Sequence, residues 1–183
     1  MNKAEFLKKV TVISDTREQA NNHILNNLQS WGVKHVSQKI PLGDYSFTCN
    51  DTDFSLLCAV ERKANINKLW GNITKDRERF EKEISGMHSL TGTAALIIEN
   101  CPSRDFLKNY TVPEQQMQYQ GRKVADIGRY IDCTLMSWSS PNRYNLHVHY
   151  INGHDTTAEF LLAYFYYFYE NYKSITAPLR GSR

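Results

Sequence analysis

The stretch of sequence that decides the fold is residues 42–63, which read LGDYSFTCNDTDFSLLCAVERK. Residues 42–48 and 54–61 are rich in apolar, aromatic and β-branched side chains, which is typical of strands. Residues 49–53, CNDTD, lie between them and are turn-forming. We therefore predict that the two strands pair as a hairpin.

Two carboxylates and one ammonium group meet at one end of this predicted hairpin. Side chains alternate along a strand, so Glu61 and Lys63 share a face. With the turn centred near residue 51 or 52, Asp44 falls opposite residues 58–60 and close to Glu61. Mg²⁺ prefers oxygen ligands, and two acids suffice where a phosphate supplies more. A neighbouring lysine could orient or help to deprotonate a water that attacks phosphorus.

A Glu-x-Lys pattern alone is typical of a surface ion pair, worth about 0–1 kcal/mol. The functional interpretation of Glu61 and Lys63 therefore depends on the elements and motifs around them. The other predicted strands are residues 9–14, 33–40, 93–99 and 144–151, and the predicted helices are residues 20–31, 66–73, 80–87, 124–138 and 156–172. This order predicts an α/β fold, with an antiparallel hairpin inside a mixed sheet.

The chain of 183 residues is long enough for one domain with its own core. We predict a single domain over residues 1–183. Residues 10–100 form its central part, residues 101–122 a variable insertion or loop, and residues 123–175 a closing helix–strand–helix unit.

Composition narrows the class of protein. Hydrophobic residues make up 41% and charged residues 22%, as in ordinary globular proteins. No apolar run approaches the roughly 18 residues of a membrane helix, and no signal peptide is evident. The four cysteines lack the paired spacing of zinc sites, which favours reduced thiols and a cytoplasmic location. Association with the nucleoid and a phage-infected host cell are the more specific alternatives for that location. The net charge of +3 leaves the partner open.

Five short motifs surround the hairpin acids in a specific order. They are Asp15-Thr16-Arg17-Glu18, Leu42-Gly43-Asp44-Tyr45, Val60-Glu61-Arg62-Lys63, Arg79-Phe80 with Glu83, and Ala95-Leu96-Ile97-Ile98-Glu99. Together they resemble the nuclease domain of the XPF family of structure-specific DNA endonucleases, a branch of the PD-(D/E)xK superfamily. The resemblance covers about residues 10–100, and residues 101–183 match only in their coarse pattern.

The resemblance implies a restriction-endonuclease-like fold, a mixed sheet flanked by helices. It also implies Mg²⁺-dependent or Mn²⁺-dependent cleavage of DNA at branches, flaps or forks, in repair or recombination. The implied catalytic residues are Asp15, Glu18, Asp44, Glu61 and Lys63. Of these, Asp15, Asp44 and Glu61 are the implied metal ligands, and the backbone carbonyl of Arg62 is a further one. Glu18 has a supporting role near the water or a second metal.

The same resemblance suggests which side chains position the DNA backbone. The candidates are Arg17, Tyr45, Arg62, Arg77 and Arg79. Arginine suits this task because its planar guanidinium can bond two phosphate oxygens.

One position departs from the family pattern. The family commonly has Asp four residues after the lysine, where this chain has Asn67. Asn keeps a similar shape without the charge and is also a good N-cap. Because the acids and the lysine are intact, we predict an active enzyme. The alternative is a non-catalytic DNA-binding or scaffold subunit that partners an active nuclease. A third interpretation is a restriction or junction-resolving enzyme of the same broad fold.

Other features have less specific interpretations. The aromatic residues of the last helix fit a buried helix or a homodimer or heterodimer interface about equally, since aromatics are enriched in both. His147 and His149 share a strand face, but they are more typical of ordinary strand histidines than of a metal site. Residues 121–123 and Arg129 form a small basic cluster, by default a solvated loop.

Overall fold

The computed structural model describes residues 1–92, 94–111, 127–153 and 156–180. In these residues the strands are β1 (Val10–Ser14), β2 (Lys34–Ser37), β3 (Tyr45–Cys49), β4 (Thr52–Asp53), β5 (Val60–Lys63), β6 (Ala94–Glu99) and β7 (Leu146–Ile151). The helices are α1 (Lys3–Lys9), α2 (Asn22–Ser30), α3 (Ile66–Thr74), α4 (Arg77–Thr91), α5 (Arg104–Lys108), α6 (Ile127–Trp138) and α7 (Thr156–Arg180).

The strands form one mixed sheet in the order β2-β1-β3-β5-β6-β7, with β4 paired to β3. Strand β3 runs antiparallel to both β1 and β5, whereas the β1–β2, β5–β6 and β6–β7 pairs are parallel. Helices pack on both faces of the sheet. The predicted α/β fold, a mixed sheet flanked by helices, is confirmed.

Alternation along the strands sends neighbouring residues into two separate apolar clusters. Val60 and Ile97 face the cluster formed with α1, α2 and α7. Ala59, just before β5, and Leu96 in β6 are each one position earlier, and they face the cluster formed with α3, α4 and α6. Because Glu61 follows Val60, its side chain belongs on the α4 face. The alternation of side chains along each strand thus decides on which face of the sheet a polar side chain lies.

The predicted hairpin is right in direction but wrong in extent. Residues 54–59 form turns rather than a strand, with Cys58 N donating to Phe54 O at 2.8 Å. Phe54 itself is fully buried and stacks on Phe47. The chain turns here because Phe54 enters the core while the next residues loop over it. Strand β5 therefore begins only at Val60, which pairs with Tyr45.

The remaining elements differ from prediction mainly at their ends. Helix α1 was not predicted; its N-cap Asn2 forms a capping box with Glu5. Helix α5 lies inside the predicted insertion, and residues 112–126 of that region fall outside the described part of the chain. The closing helix, strand and helix are present as α6, β7 and α7. Residues 121–123 of the basic cluster also lie outside the described residues.

Helix α7 and His149 both take part in core packing, and the predicted dimer interface stays a prediction. Helix α7 buries Phe165 and Tyr169 in the core but leaves Tyr167 exposed. His149 packs against Phe160, with 4.5 Å between ring centroids. All four cysteines are free thiols. No helix in the described ranges is long and apolar enough to cross a bilayer.

Two helical glycines give opposite predictions for the same substitution. A Cβ on Gly128 in α6 would lie 2.3 Å from the carbonyl oxygen of Leu107 in α5, so Gly128→Ala should destabilise the fold by about 1–3 kcal/mol. A Cβ on Gly71 in α3 would meet nothing within 4 Å, so Gly71→Ala should stabilise the fold by about 0.5–1 kcal/mol. Urea unfolding of both variants measures this difference, and equal effects would contradict the close packing of α5 on α6.

Candidate active site

Backbone hydrogen bonds align the ends of three strands around the candidate acids. Asp15 N donates to Asp44 O at 2.8 Å, and Asp44 N donates to Val60 O at 2.9 Å. Gly43 precedes Asp44 with a φ of +75°, a conformation that favours glycine. The parity of each strand puts Asp15, Asp44 and Glu61 on the α4 face of the sheet, and Lys63 follows Glu61 on that face.

Asp44 and Glu61 form the electrostatic centre of the site. Burial, and next the charge of Glu61, raise the pKa of Asp44 well above its usual value. One Asp44 carboxylate oxygen accepts a hydrogen bond from Arg62 N at 2.8 Å. Burial also raises the pKa of Glu61, against the opposing charge of Lys63. Glu61 Oε2 is buried and has no hydrogen-bond partner among the residues that the structure describes.

Lys63 is held between an acid and an aromatic ring. Its Nζ donates a hydrogen bond to Glu61 Oε1. The same nitrogen lies 4.5 Å from the ring centroid of Phe80 in α4. An ammonium group has three donors, so the bond to Glu61 leaves donors for a water or a phosphate oxygen. The contacts position Lys63 without using all of its hydrogen-bonding capacity.

Asp15 has a different environment from the other two acids. Asp15 Oδ1 accepts hydrogen bonds from Arg17 N at 2.9 Å and from Arg17 Nε at 2.5 Å, and Oδ2 accepts one from Ile40 N at 2.9 Å. Burial opposes ionisation, but these hydrogen bonds prevail and lower the pKa of Asp15. Asp15 therefore ties the loop after β1 to the chain before β3, and its role as a metal ligand stays a prediction.

The fit of this site to a metal rests on two acids rather than three. No group of three or more His, Cys, Asp or Glu side chains is arranged to hold a metal in the described part of the chain. Asp44 and Glu61 nevertheless suit a hard cation, because a half-buried and a buried carboxylate of like charge lie together and one Glu61 oxygen is unpaired. Phosphate and water would have to supply the remaining ligands. The predicted carbonyl ligand from Arg62 stays untested.

Two predicted DNA contacts are corrected by burial. The Tyr45 side chain is fully buried in the core, so DNA cannot reach it. The Arg62 side chain is 2% exposed and points to the α2–α7 side of the sheet, opposite Glu61. The physical reason is the alternation of β5, which sends Arg62 inward when Glu61 and Lys63 face the site.

The Arg62 guanidinium joins a buried ionic network beneath the site. Its nitrogens donate to Glu18 Oε1 at 2.9 Å and to Glu99 Oε2 at 2.7 Å. Glu99 Oε1 also accepts hydrogen bonds from Thr157 in α7 and from His23 in α2, with His23 Nε2 at 3.0 Å. Glu18 is thus tied to Arg62, and its supporting role near the water or a second metal stays a prediction. The network connects the loop after β1 to β5, β6, α2 and α7.

Glu99 has a role in this network that the sequence did not predict. It ends the apolar run AALIIE and is fully buried. A buried carboxylate needs a charged or hydrogen-bonding partner. A glutamate at the end of an apolar strand was therefore the sequence signal that could have predicted a buried ion pair. Its partner, Arg62, lies 37 positions earlier in the sequence.

The other predicted arginines remain accessible in different degrees. The side chains of Arg17 and Arg79 are 62% and 66% exposed. Arg77 is less free: it lies 3.4 Å from Glu81, and its guanidinium stacks over Trp138. The predicted N-cap role of Asn67 is wrong, because Asn65 caps α3 by accepting from Lys68 N, and Asn67 is exposed within the helix.

Comparison with known proteins supports the same fold. Residues 14–164 match the ERCC4 domain family. Similar solved structures include XPF from Aeropyrum pernix, alone and in complex with DNA, with TM-scores of 0.59 and 0.58 and 20% sequence identity in both cases. The matches cover 85% and 88% of this chain but 65% and 66% of those proteins, so the chain spans just under two thirds of their length. No curated protein is significantly similar in sequence.

Proposed function

The chain belongs to the ERCC4 domain family, and from this premise we propose that it is a metal-dependent endonuclease that hydrolyses DNA phosphodiesters. The proposed substrates are branches, flaps and forks that arise in repair or recombination. The observation that carries the proposal is the pairing of Asp44 and Glu61 next to Lys63. A carboxylate whose pKa is raised by burial and by a specific neighbour is typical of a functional site.

Mg²⁺, with Mn²⁺ as a substitute, is the proposed cofactor. Asp44 and Glu61 would hold it, because burying two like charges side by side is costly unless a cation offsets them. Asp15 and the Arg62 carbonyl are further predicted ligands. When bound, the metal would lower the pKa of a water and offset charge on the phosphate.

We propose that the protein side chains orient the attacking water and stabilise negative charge on the phosphate. Lys63 would donate hydrogen bonds to the attacking water or to a phosphate oxygen, while Glu61 and Phe80 hold its ammonium group in place. Arg17 is anchored by Asp15 and largely exposed, so it could bind a phosphate next to the acids. The buried network around Arg62 would keep β5 and the loop after β1 in register.

The alternative of a non-catalytic scaffold subunit gains no support from the site. A subunit that only binds DNA would not need two acids next to each other, since negative charge repels the DNA backbone. Pairing with a second nuclease domain, identical or related, remains part of the proposal. Sedimentation equilibrium at micromolar concentration would measure it.

Cleavage of a panel of labelled DNA substrates tests the proposed function. We expect the wild-type protein to cut fork and flap DNA in Mg²⁺ or Mn²⁺, to cut plain duplex more slowly, and to be inactive in EDTA. Glu61→Gln is compared with the wild-type protein on the same substrates, because it keeps the side-chain shape and removes the charge. Binding of all substrates without cutting in either metal would reject the enzyme and favour the scaffold subunit.

A further inference from the structure

A groove of about 470 Å³ with charged side chains in its lining runs along α4 beside the acid site. One wall is formed by α4, and the other by Arg17 and by the segment before β3. Its lining includes Arg79, Lys82, Ser85 and Ser89 from α4. We propose that this groove binds the sugar–phosphate backbone of one DNA strand and leads it to Asp44 and Glu61. The inference rests on the proposed function and adds the path of the substrate.

The charge of the groove suits a polyanion. Arg17, Arg79 and Lys82 place three cations along it, and Glu83 is the one carboxylate in its lining; Arg17 is also paired with Asp15 behind the groove, so Arg79 and Lys82 carry most of its positive charge. Arg79 is only loosely paired, with its Nη1 4.0 Å from Glu83 Oε2, and both arginines are mostly exposed. Exposed cations along a concave surface bind phosphates without reading base sequence.

The spacing along α4 follows one face of the helix. Arg79, Lys82, Ser85 and Ser89 are three or four positions apart, so they lie on neighbouring turns of the same side. From Arg79 to Ser89 the helix rises about 15 Å, enough for several backbone groups of an extended strand. At the serine end, Ser85 has a short hydroxyl side chain that can donate to a phosphate oxygen, whereas the hydroxyl of Ser89 donates to Ser85 O. Gly86 lies between them and lets α4 approach Leu42 closely.

The groove is connected to the acid site. Phe80, which follows Arg79 in α4, carries the ring on which Lys63 Nζ lies. Arg17, which lines the opposite wall of the groove, donates a hydrogen bond to Asp15 at the end of β1. A strand lying in the groove would therefore reach the acids at the Arg79 end. The groove is of small-molecule size, which fits one strand backbone rather than a duplex.

The salt dependence of DNA binding measures these contacts directly. Each phosphate contact contributes about 0.7–0.9 to the slope of log affinity against log salt concentration. In EDTA, where cleavage cannot proceed, we expect the Arg79→Ala/Lys82→Ala double variant to lower that slope by about 1.4–1.8. Lys34→Ala is the control, because this exposed lysine is outside the groove lining and lies at the start of edge strand β2, opposite Thr11. The control should lower the slope by less than half as much.

A second pair of variants adds charge instead of removing it. Ser89→Glu should weaken DNA binding about fivefold, the effect of one unfavourable charge of about 1 kcal/mol. Ser174→Glu in α7 is its control, since both serines are exposed and donate to their own helix backbone. Circular dichroism would confirm that the four variants remain folded.

The outcomes separate the groove from the proposed function. A double variant with the salt slope of Lys34→Ala, or a Ser89→Glu protein that binds like Ser174→Glu, would overturn the groove while leaving the nuclease intact. A wild-type protein that binds no DNA would overturn both. A wild-type protein that binds through the groove but never cuts would support the groove and reject only the catalytic proposal.

Discussion

Replacing Lys63 with methionine should lower the single-turnover rate of fork cleavage by about 10²- to 10⁴-fold. Methionine keeps the length and apolar stem of the side chain, so contact with Phe80 persists while the ammonium donors are lost. The reacting water and the phosphate would then lack a positioned hydrogen-bond donor and a compensating charge. Quenched-flow cleavage with enzyme in excess over DNA in saturating Mg²⁺ measures this step without product release.

Lys68→Met provides the control for that result. Lys68 is exposed in α3, so the substitution removes the same charge away from the acids. Its cleavage rate should stay within about threefold of the wild-type rate, the effect of a screened surface charge of at most about 0.6 kcal/mol. A Lys63→Met protein that is folded and cuts as fast as Lys68→Met would remove the lysine from the mechanism.

Replacing Glu99 with leucine should destabilise the protein by about 3–5 kcal/mol. Glu99 is fully buried and pairs with the buried guanidinium of Arg62, so its removal leaves a charge in the core without its main partner. Thr157 and His23 would lose an acceptor as well. Urea unfolding at pH 7 measures the loss. Because hydrogen bonds, chiefly from Arg62, overcome burial and lower the pKa of Glu99, this stabilisation is complete above about pH 4.5 and disappears as the pH falls through the lowered pKa.

Glu99→Gln separates the charge from the shape of that side chain. Gln can still accept one hydrogen bond, so we expect a smaller loss of about 1–3 kcal/mol. A double variant, Arg62→Leu/Glu99→Leu, should cost less than the sum of its two single variants, because both charges of the pair are removed together. If Glu99→Leu costs less than about 1 kcal/mol, the network is not what holds β5 and β6 in register.

The candidate acids were predictable because they depend on local geometry. Alternation alone places Glu61 and Lys63 on one face, and the hairpin brings Asp44 to them even though the strand was predicted too long. Register within a hairpin is set over a few residues, so an error in strand length changed the predicted partner of Asp44 by only one to three positions. The resemblance to the XPF nuclease domain, carried by the same motifs, is confirmed by the family match.

The burial of Arg62, on the opposite face of β5, was not predictable in this way. Arg62 looks like a DNA-binding residue in sequence, but its partners Glu18 and Glu99 are 44 and 37 positions away. Only the packing of β5 between β3 and β6 decides that its guanidinium is buried. Phe54 was misjudged for the same reason, because its contacts with Phe47 and with the rings of α7 override strand propensity.

The most direct test of the central claim is the Mg²⁺ dependence of fork cleavage by the wild-type protein and by Asp44→Asn. The substitution keeps the shape of the side chain and its hydrogen bond from Arg62 N but removes one of the two paired charges. The account predicts saturable Mg²⁺-dependent cleavage that Asp44→Asn reduces by at least about 100-fold, at unchanged affinity for DNA in EDTA. Cleavage by Asp44→Asn at the wild-type rate, or wild-type cleavage that persists in EDTA, would contradict it.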